Sequence, residues 1–314
     1  MSAETQTIRI IAFPGAPNLP IFVAMEERFF AREGVSVEIE FTPSSIYQAQ
    51  KTAAGEFDIA MTAFDNVVAY GEGQGAAGPG VDPEYVVVMG ATQLELSLIV
   101  APEIKTFDDL RGRSIALDAK DTGFAFALTE MLERAGVSLA DTHYEPVGAT
   151  PLRWQSVQSG AHAGTLTIEP FTTIATRAGF HVLQKSSDIF DAYQGGVVAA
   201  RRSFLDAHRD AVAGYLRAYL AGLDWLRTPE NRDKAAEYLQ KHMPAIKPQA
   251  VEPVMKSLLD PRSGLTPDGE ILPDGMARVL DLRSRHGSSD QTLTDWERYL
   301  DLSLHQSILA EKQA

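Results

Sequence analysis

The chain has 314 residues, 45% hydrophobic and 22% charged, which is more than one comfortable core holds and about right for two lobes of roughly 100–200 residues each. Acids outnumber Lys and Arg by 42 to 28, a net charge of −14; this field repels polyanions and no basic–aromatic stripe offsets it, so nucleic acid is excluded as a partner. The absence of cysteine excludes disulfides, thiolate metal sites and cysteine nucleophiles together.

The first seven residues carry no basic segment and no apolar run of a signal peptide, so either the chain is cytosolic or a leader has been removed. No later apolar run reaches the ~18 residues that span a membrane. Residues 7–13 (TIRIIAF) read as a first strand. Pro14, Gly15 and Pro17 break it, and 19–31 has helical periodicity ending at Gly34. A half-buried strand over 35–41, a helix over 44–54 and a buried strand over 57–62 complete a βαβαβ series, the mark of a parallel sheet with helices on its faces. A helix starts at 65–72, strands follow at 85–89 and 96–101, and a second series runs from 97 to 190, with strands at 114–117, 143–147 and 164–168 and helices at 123–135 and 151–159. A strand at 195–200 precedes a mostly helical region, with helices at 202–206, 209–226, 231–242, 247–259 and 273–286 and a last one at 294–310.

Four stretches resemble the type II periplasmic binding proteins, in particular the group serving transporters for alkanesulfonates, taurine, nitrate and thiamine-pyrimidine precursors. They are Phe29-Phe30-Ala31-Arg32-Glu33-Gly34-Val35, Gly55-Glu56-Phe57-Asp58-Ile59-Ala60, the run from Ile104 to Ala116 around Asp109-Leu110-Arg111-Gly112, and Ser159-Gly160 with the strand leading to Glu169-Pro170. One departure stands at Ala161-His162-Ala163-Gly164, where the family commonly carries an acid before the strand. The resemblance implies an α/β, two-lobed type II periplasmic binding protein fold with a helical C-terminal segment. It divides the chain into a first lobe (1–95), a second lobe (96–194), and a return strand with C-terminal helices (195–314). It also implies hinges near 93–96 and 194–196, capture of a small organic molecule between the lobes, an ABC permease as partner, a monomer and a periplasmic location.

Ligands of open α/β sheets sit beyond the C-terminal strand ends. That rule selects Phe13, Pro14, Pro17 and Asn18 after the first strand, with 13–20 as one wall of the cleft. It selects Ala63, Phe64, Asp65 and Asn66 after the third, and Thr92, Gln93, Leu94 and Glu95 at the first crossing. In the second lobe it selects Asp118, Lys120, Asp121, Thr122, Gly123 and Phe124, then Glu169; Gln194 lies at the return crossing. Aromatic and proline residues suit a flat ligand. The carboxylates Asp65, Glu95, Asp118, Asp121 and Glu169, with Lys120 as the one base, favour a neutral or cationic ligand bearing N–H or O–H donors, such as a heteroaromatic amine. Asp65 serves equally as a helix N-cap, Asp118 and Asp121 as caps of the next helix, and Glu169 as a loop acceptor. Trp154, Trp225 and Trp296 read as packing residues. The seven histidines lack metal spacing, so neither metal nor cofactor is expected. The main expectation is a non-catalytic solute-binding protein. Its rival is a cytosolic decarboxylase, hydrolase or lyase on the same fold, with Asp65, Glu95 or Glu169 as acid or base.

Overall fold

The computed structural model describes residues 5–93 and 95–313. Its strands are β1 (Gln6–Ala12), β2 (Val35–Phe41), β3 (Ile59–Ala63), β4 (Tyr85–Thr92), β5 (Ser97–Val100), β6 (Ser114–Leu117), β7 (His143–Pro146), β8 (Gly164–Thr167), β9 (His181–Lys185) and β10 (Gly196–Arg201). They form two sheets of five strands, ordered β2-β1-β3-β10-β4 and β7-β6-β8-β5-β9. Each sheet has a parallel part built by strand–helix–strand units and one strand that reverses direction. In the first sheet β10 runs antiparallel to β3 and β4; in the second β5 runs antiparallel to β8 and β9. The α/β class with two sheets agrees with the sequence reading.

The local chemistry explains the elements. Strand β4 reads YVVVMGAT, and every residue from Val86 to Thr92 is buried, the near-continuous β-branched pattern of a strand covered on both faces. Strand β1 pairs Ile8 with Val37 and Ile10 with Ile39 of β2, so one apolar face is shared across the ladder. Helices Leu19–Glu26 and Arg209–Arg227 cover that face.

Three expectations are corrected. The helix read over 19–31 is two, Leu19–Glu26 and Phe29–Arg32, because Arg28 adopts a left-handed backbone with φ +60°; neither Gly nor Pro marks that break. The final helix read over 294–310 is instead a 3-10 turn at Glu297–Tyr299, an extended step, and a helix at Ser303–Gln313. The extended step bridges Leu300 to Val87, and the Asp301 N–H donates to the Val87 carbonyl at 2.9 Å. Strand β4 is a sheet edge, and its free backbone groups take a partner that a continuous helix could not supply. Strand β9 was not anticipated, since its five residues are all half-buried and give no clear alternation.

The helix Pro273–His286 packs on both the helix Phe64–Gly71, which follows β3, and the helix Gly123–Arg134, which follows β6. Phe64, Val67, Leu128, Met131, Met276 and Leu280 thereby share one core. Trp154 is buried and meets the Phe180 ring edge-on at 4.9 Å, and Trp225 stacks on Tyr238, so both act as packing residues.

Candidate functional site

A cavity lies between the two sheets. The space open to the centre of a water-sized sphere is about 90 Å3, roughly six times the ~15 Å3 that a single water needs. Its first-lobe wall comes from Phe13, Pro17 and Asn18 after β1, Met61 and Thr62 on β3, and Asn66 in the next helix. The start of β10 and the end of β4 add Gly196, Val197, Ala91 and Thr92. The second lobe supplies Asp118, Thr122, Gly123 and Phe124 beyond β6, Thr150 and Arg153 on the helix Thr150–Gln158, and Ile168 after β8. The walls are therefore mainly apolar with a few polar groups, the usual make-up of a small-molecule site.

The loop after β1 is pinned from within. The buried Asn18 side chain donates to the carbonyls of Phe13 at 2.8 Å and Gly15 at 3.0 Å. Asn66 donates to the Thr62 hydroxyl at 2.9 Å. Gly123 faces Asp65 so closely that a Cβ there would stand 2.6 Å from the aspartate Cβ, so only glycine lets this helix start approach the first lobe.

Hydrogen bonds cross the rim of the cavity. The Asp118 carboxylate accepts from the backbone N–H of Ser45 at 3.0 Å, at the start of the helix Ser45–Ala53. The Ala149 N–H donates to the Pro43 carbonyl at 2.7 Å, and the Ala16 N–H to the Glu169 carbonyl at 3.1 Å. Each joins a residue from the β1–β3 region to one from the β6–β8 region.

Of the residues selected by sequence, Phe13, Pro17, Asn18, Ala63, Asn66, Thr92, Asp118, Thr122, Gly123 and Phe124 line the cavity. Pro14, Phe64, Asp65, Gln93, Glu95, Asp121, Glu169 and Gln194 do not, and Leu94 lies outside the described residues. Phe64 is fully buried against Tyr299. Asp65 is 1% exposed and takes a two-pronged ion pair from Arg283, 2.8 Å from Nε and 2.7 Å from Nη2. Arg283 also donates to the Asp121 carbonyl, while Asp121 itself is exposed. Glu95 pairs with Lys185, and Gln93 donates to the Pro261 carbonyl; both border a small separate pocket at the crossing. The Gln194 amide is consumed by Thr92, Gly196 and the Leu272 N–H. Burial pushes the Glu169 carboxyl upward against opposing hydrogen bonds from Thr173, so this side chain braces its own helix. The ring of carboxylates read from sequence thus reduces to Asp118.

Arg153 was missed. It is 2% exposed and lines the cavity. Its Nε donates to Thr165 Oγ1 at 3.0 Å, Nη1 to the Gly148 carbonyl at 2.9 Å, and Nη2 to Thr150 Oγ1 and the Leu166 carbonyl at 3.0 Å each. All four acceptors are neutral. Burial lowers its pKa to about 10, with Asp118 opposing the shift, so it remains a cation at neutral pH. Its guanidinium lies 5.8 Å from the centre of the Phe124 ring, within cation–π range. A faint signal was present: Arg153 stands in the first turn of its helix, where the helix dipole disfavours a cation unless something else holds it.

Elsewhere, Glu130, Glu133 and His286 converge, but Glu130 already accepts from Arg134 and Arg285 at 2.8 and 2.7 Å, which makes the cluster an ion-pair junction. Among the described residues no helix is long and apolar enough to cross a membrane.

With this geometry in place, the sequence profile of the NMT1-like family matches residues 1–240, about three quarters of the chain. The chain belongs to the NMT1-like family. This NMT1-like protein is similar to the formylaminopyrimidine-binding protein of Halalkalibacterium halodurans, at 23% identity over 245 residues, covering 75% of this chain and 70% of that protein. In structure it is similar to a protein from Bordetella bronchiseptica RB50, with a TM-score of 0.81, 20% identity and 99% coverage of each chain. It is also similar to the ligand-binding component of an ABC-type import system from Staphylococcus aureus, with a TM-score of 0.77, 12% identity, and coverage of 96% of this chain and 98% of that one. At such identities the structural likeness establishes the fold: the NMT1-like chain has the two-lobed architecture of the type II periplasmic binding proteins.

Proposed function

We propose that this chain is the solute-binding subunit of an ABC-type importer, capturing one small organic molecule between its lobes on the outer side of the cytoplasmic membrane and presenting it to a permease. The observation that carries the reading is the cavity itself. It is mainly apolar, lies beyond the C-terminal strand ends, and takes its walls from both lobes, with cross-lobe hydrogen bonds at its rim. Such a site binds by closing two bodies around a solute. The similar proteins named for binding a pyrimidine or for serving an ABC import system support the same reading. Phe13 and Phe124 suit a flat body, and Asp118 offers an acceptor to an N–H or O–H of the ligand.

The enzyme alternative gains no support from the geometry, since Asp65, Glu95 and Glu169 are committed to Arg283, Lys185 and Thr173 outside the cavity. The test is calorimetric titration with ligands found by thermal shift, followed by chromatography of the mixture. One equivalent should bind and be recovered unchanged, and small-angle scattering should show a more compact particle with ligand. Chemical conversion of the ligand by the pure protein would overturn the transport reading.

A further inference from the structure

Resting on the solute-binding reading, we propose that the second-lobe end of the cavity is a carboxylate subsite, so that the ligand is a small monocarboxylate with an apolar body. A buried guanidinium needs compensation for its lost hydration, and the four protein acceptors of Arg153 are all neutral oxygens. A guanidinium has five N–H groups, which leaves the fifth, on Nη1, for a ligand. Thr150 Oγ1 accepts from Arg153 and keeps its own proton to donate. The helix Gly123–Arg134 begins at the cavity with no side-chain cap and no acid in its first turn. Thr122, its N-cap residue, spends its hydroxyl on the Ala119 carbonyl instead. The N–H groups of Gly123 and Phe124 donate to no protein atom among the described residues, and both residues line the cavity. A 12-residue helix thus presents free donors and its positive end to the same space as a buried arginine that has no carboxylate at ion-pair distance among the described residues.

Arg153, Thr150, Gly123 and Phe124 offer about four donors, matching the roughly four lone-pair sites of one carboxylate. Phe13, Met61, Phe124 and Ile168 enclose the rest of the space. Asp118 borders the cavity as well; its charge repels a second anionic group and welcomes a hydroxyl or amino donor, so the subsite rejects dianions. The sequence-based preference for a neutral or cationic ligand rested on five carboxylates with Lys120 as the one base; of these groups only Asp118 borders the cavity, and Arg153 joins it there.

The experiment titrates the whole protein with benzoate, phenylacetate and 4-methylpentanoate, with their amides, and with benzenesulfonate, phthalate and aminopyrimidines. At least one monocarboxylate should bind tenfold or more tightly than its own amide, and phthalate at least tenfold more weakly than benzoate. Arg153→Gln should abolish the acid-over-amide preference; if that variant does not fold, the wild-type acid-to-amide ratio decides. Equal affinity for acid and amide, a preference for sulfonate, or binding of none of the carboxylates overturns the carboxylate subsite. Tight binding of aminopyrimidines alone overturns it while leaving the solute-binding reading intact, whereas a carboxylate that binds and is chemically altered does the reverse.

Discussion

Asp65 and Arg283 bury opposite charges at 1% side-chain exposure each, joined by two hydrogen bonds. The Arg283 guanidinium also reaches Gln74 and the Asp121 carbonyl and lies 4.9 Å from the centre of the Phe126 ring. Removing one member leaves the other charged and without water, at a cost of about 3–5 kcal/mol, whereas replacing both with apolar groups of similar size restores much of that. Asp65→Ala should therefore lower the stability measured by urea unfolding by about that amount, and the Asp65→Leu/Arg283→Met double variant should recover most of the loss. A double variant as unstable as the single one would mean that the pair is net stabilising here. Arg153 is the contrasting residue: equally buried, equally well bonded, but with no carboxylate at ion-pair distance among the described residues, and with the ligand cavity at its side.

The helices Gly123–Arg134 and Pro273–His286 are tied by an electrostatic junction as well as by apolar packing. Glu130 accepts from Arg134 on its own helix and from Arg285 and His286 on the other. Burial pushes the Glu130 carboxyl upward, but the hydrogen bonds from Arg285, Arg134 and His286 together outweigh it and hold the group at about 2, below its ordinary 4.5. A folded-state value below the unfolded one gives stability that is fully present above about pH 4.5 and lost as the pH falls toward 2. The two arginines are partly exposed, so solvent screening reduces the contribution to on the order of 2 kcal/mol. In urea melts taken across pH, Glu130→Gln should be less stable than wild type at neutral pH, with a gap that narrows between about pH 4.5 and 2. A gap independent of pH would show that the charge on Glu130 contributes nothing.

At the scale of the molecule, the C-terminal helices are part of the core. The helix Pro273–His286 places Met276, Val279, Leu280 and Leu282 in the core shared with the helices after β3 and β6, and Leu300 extends the edge of the first sheet beside β4. A chain ended after His242 would expose that core and leave Asp65 buried without Arg283. It should lose its cooperative thermal transition and collect in the insoluble fraction, even though it contains every residue that lines the cavity. A soluble truncated chain with a sharp melting transition would overturn this account. The same bridging helix packs against a helix that follows β3 of the first sheet and a helix that follows β6 of the second, and so ties the two halves of the molecule together.

Local rules made most of the architecture readable. β-branched runs bounded by Gly and Pro marked the strands, and their alternation with helical periods gave two parallel α/β series and the strand-end rule that placed half of the site. Phe13, Asn18, Asp118 and Gly123 were within reach of that rule because each directly follows or flanks a strand end. What the sequence by itself could not determine was the partner of each charge. Asp65 looked like a cleft carboxylate until Arg283, 218 positions away in the chain, was found against it, and Arg153 lay outside the strand-end rule because only folding packs its helix over β8. Strand and helix follow from neighbours a few residues apart, whereas a buried charge is defined by groups that only folding brings together. Tertiary structure alone therefore decided which charged groups border this cavity.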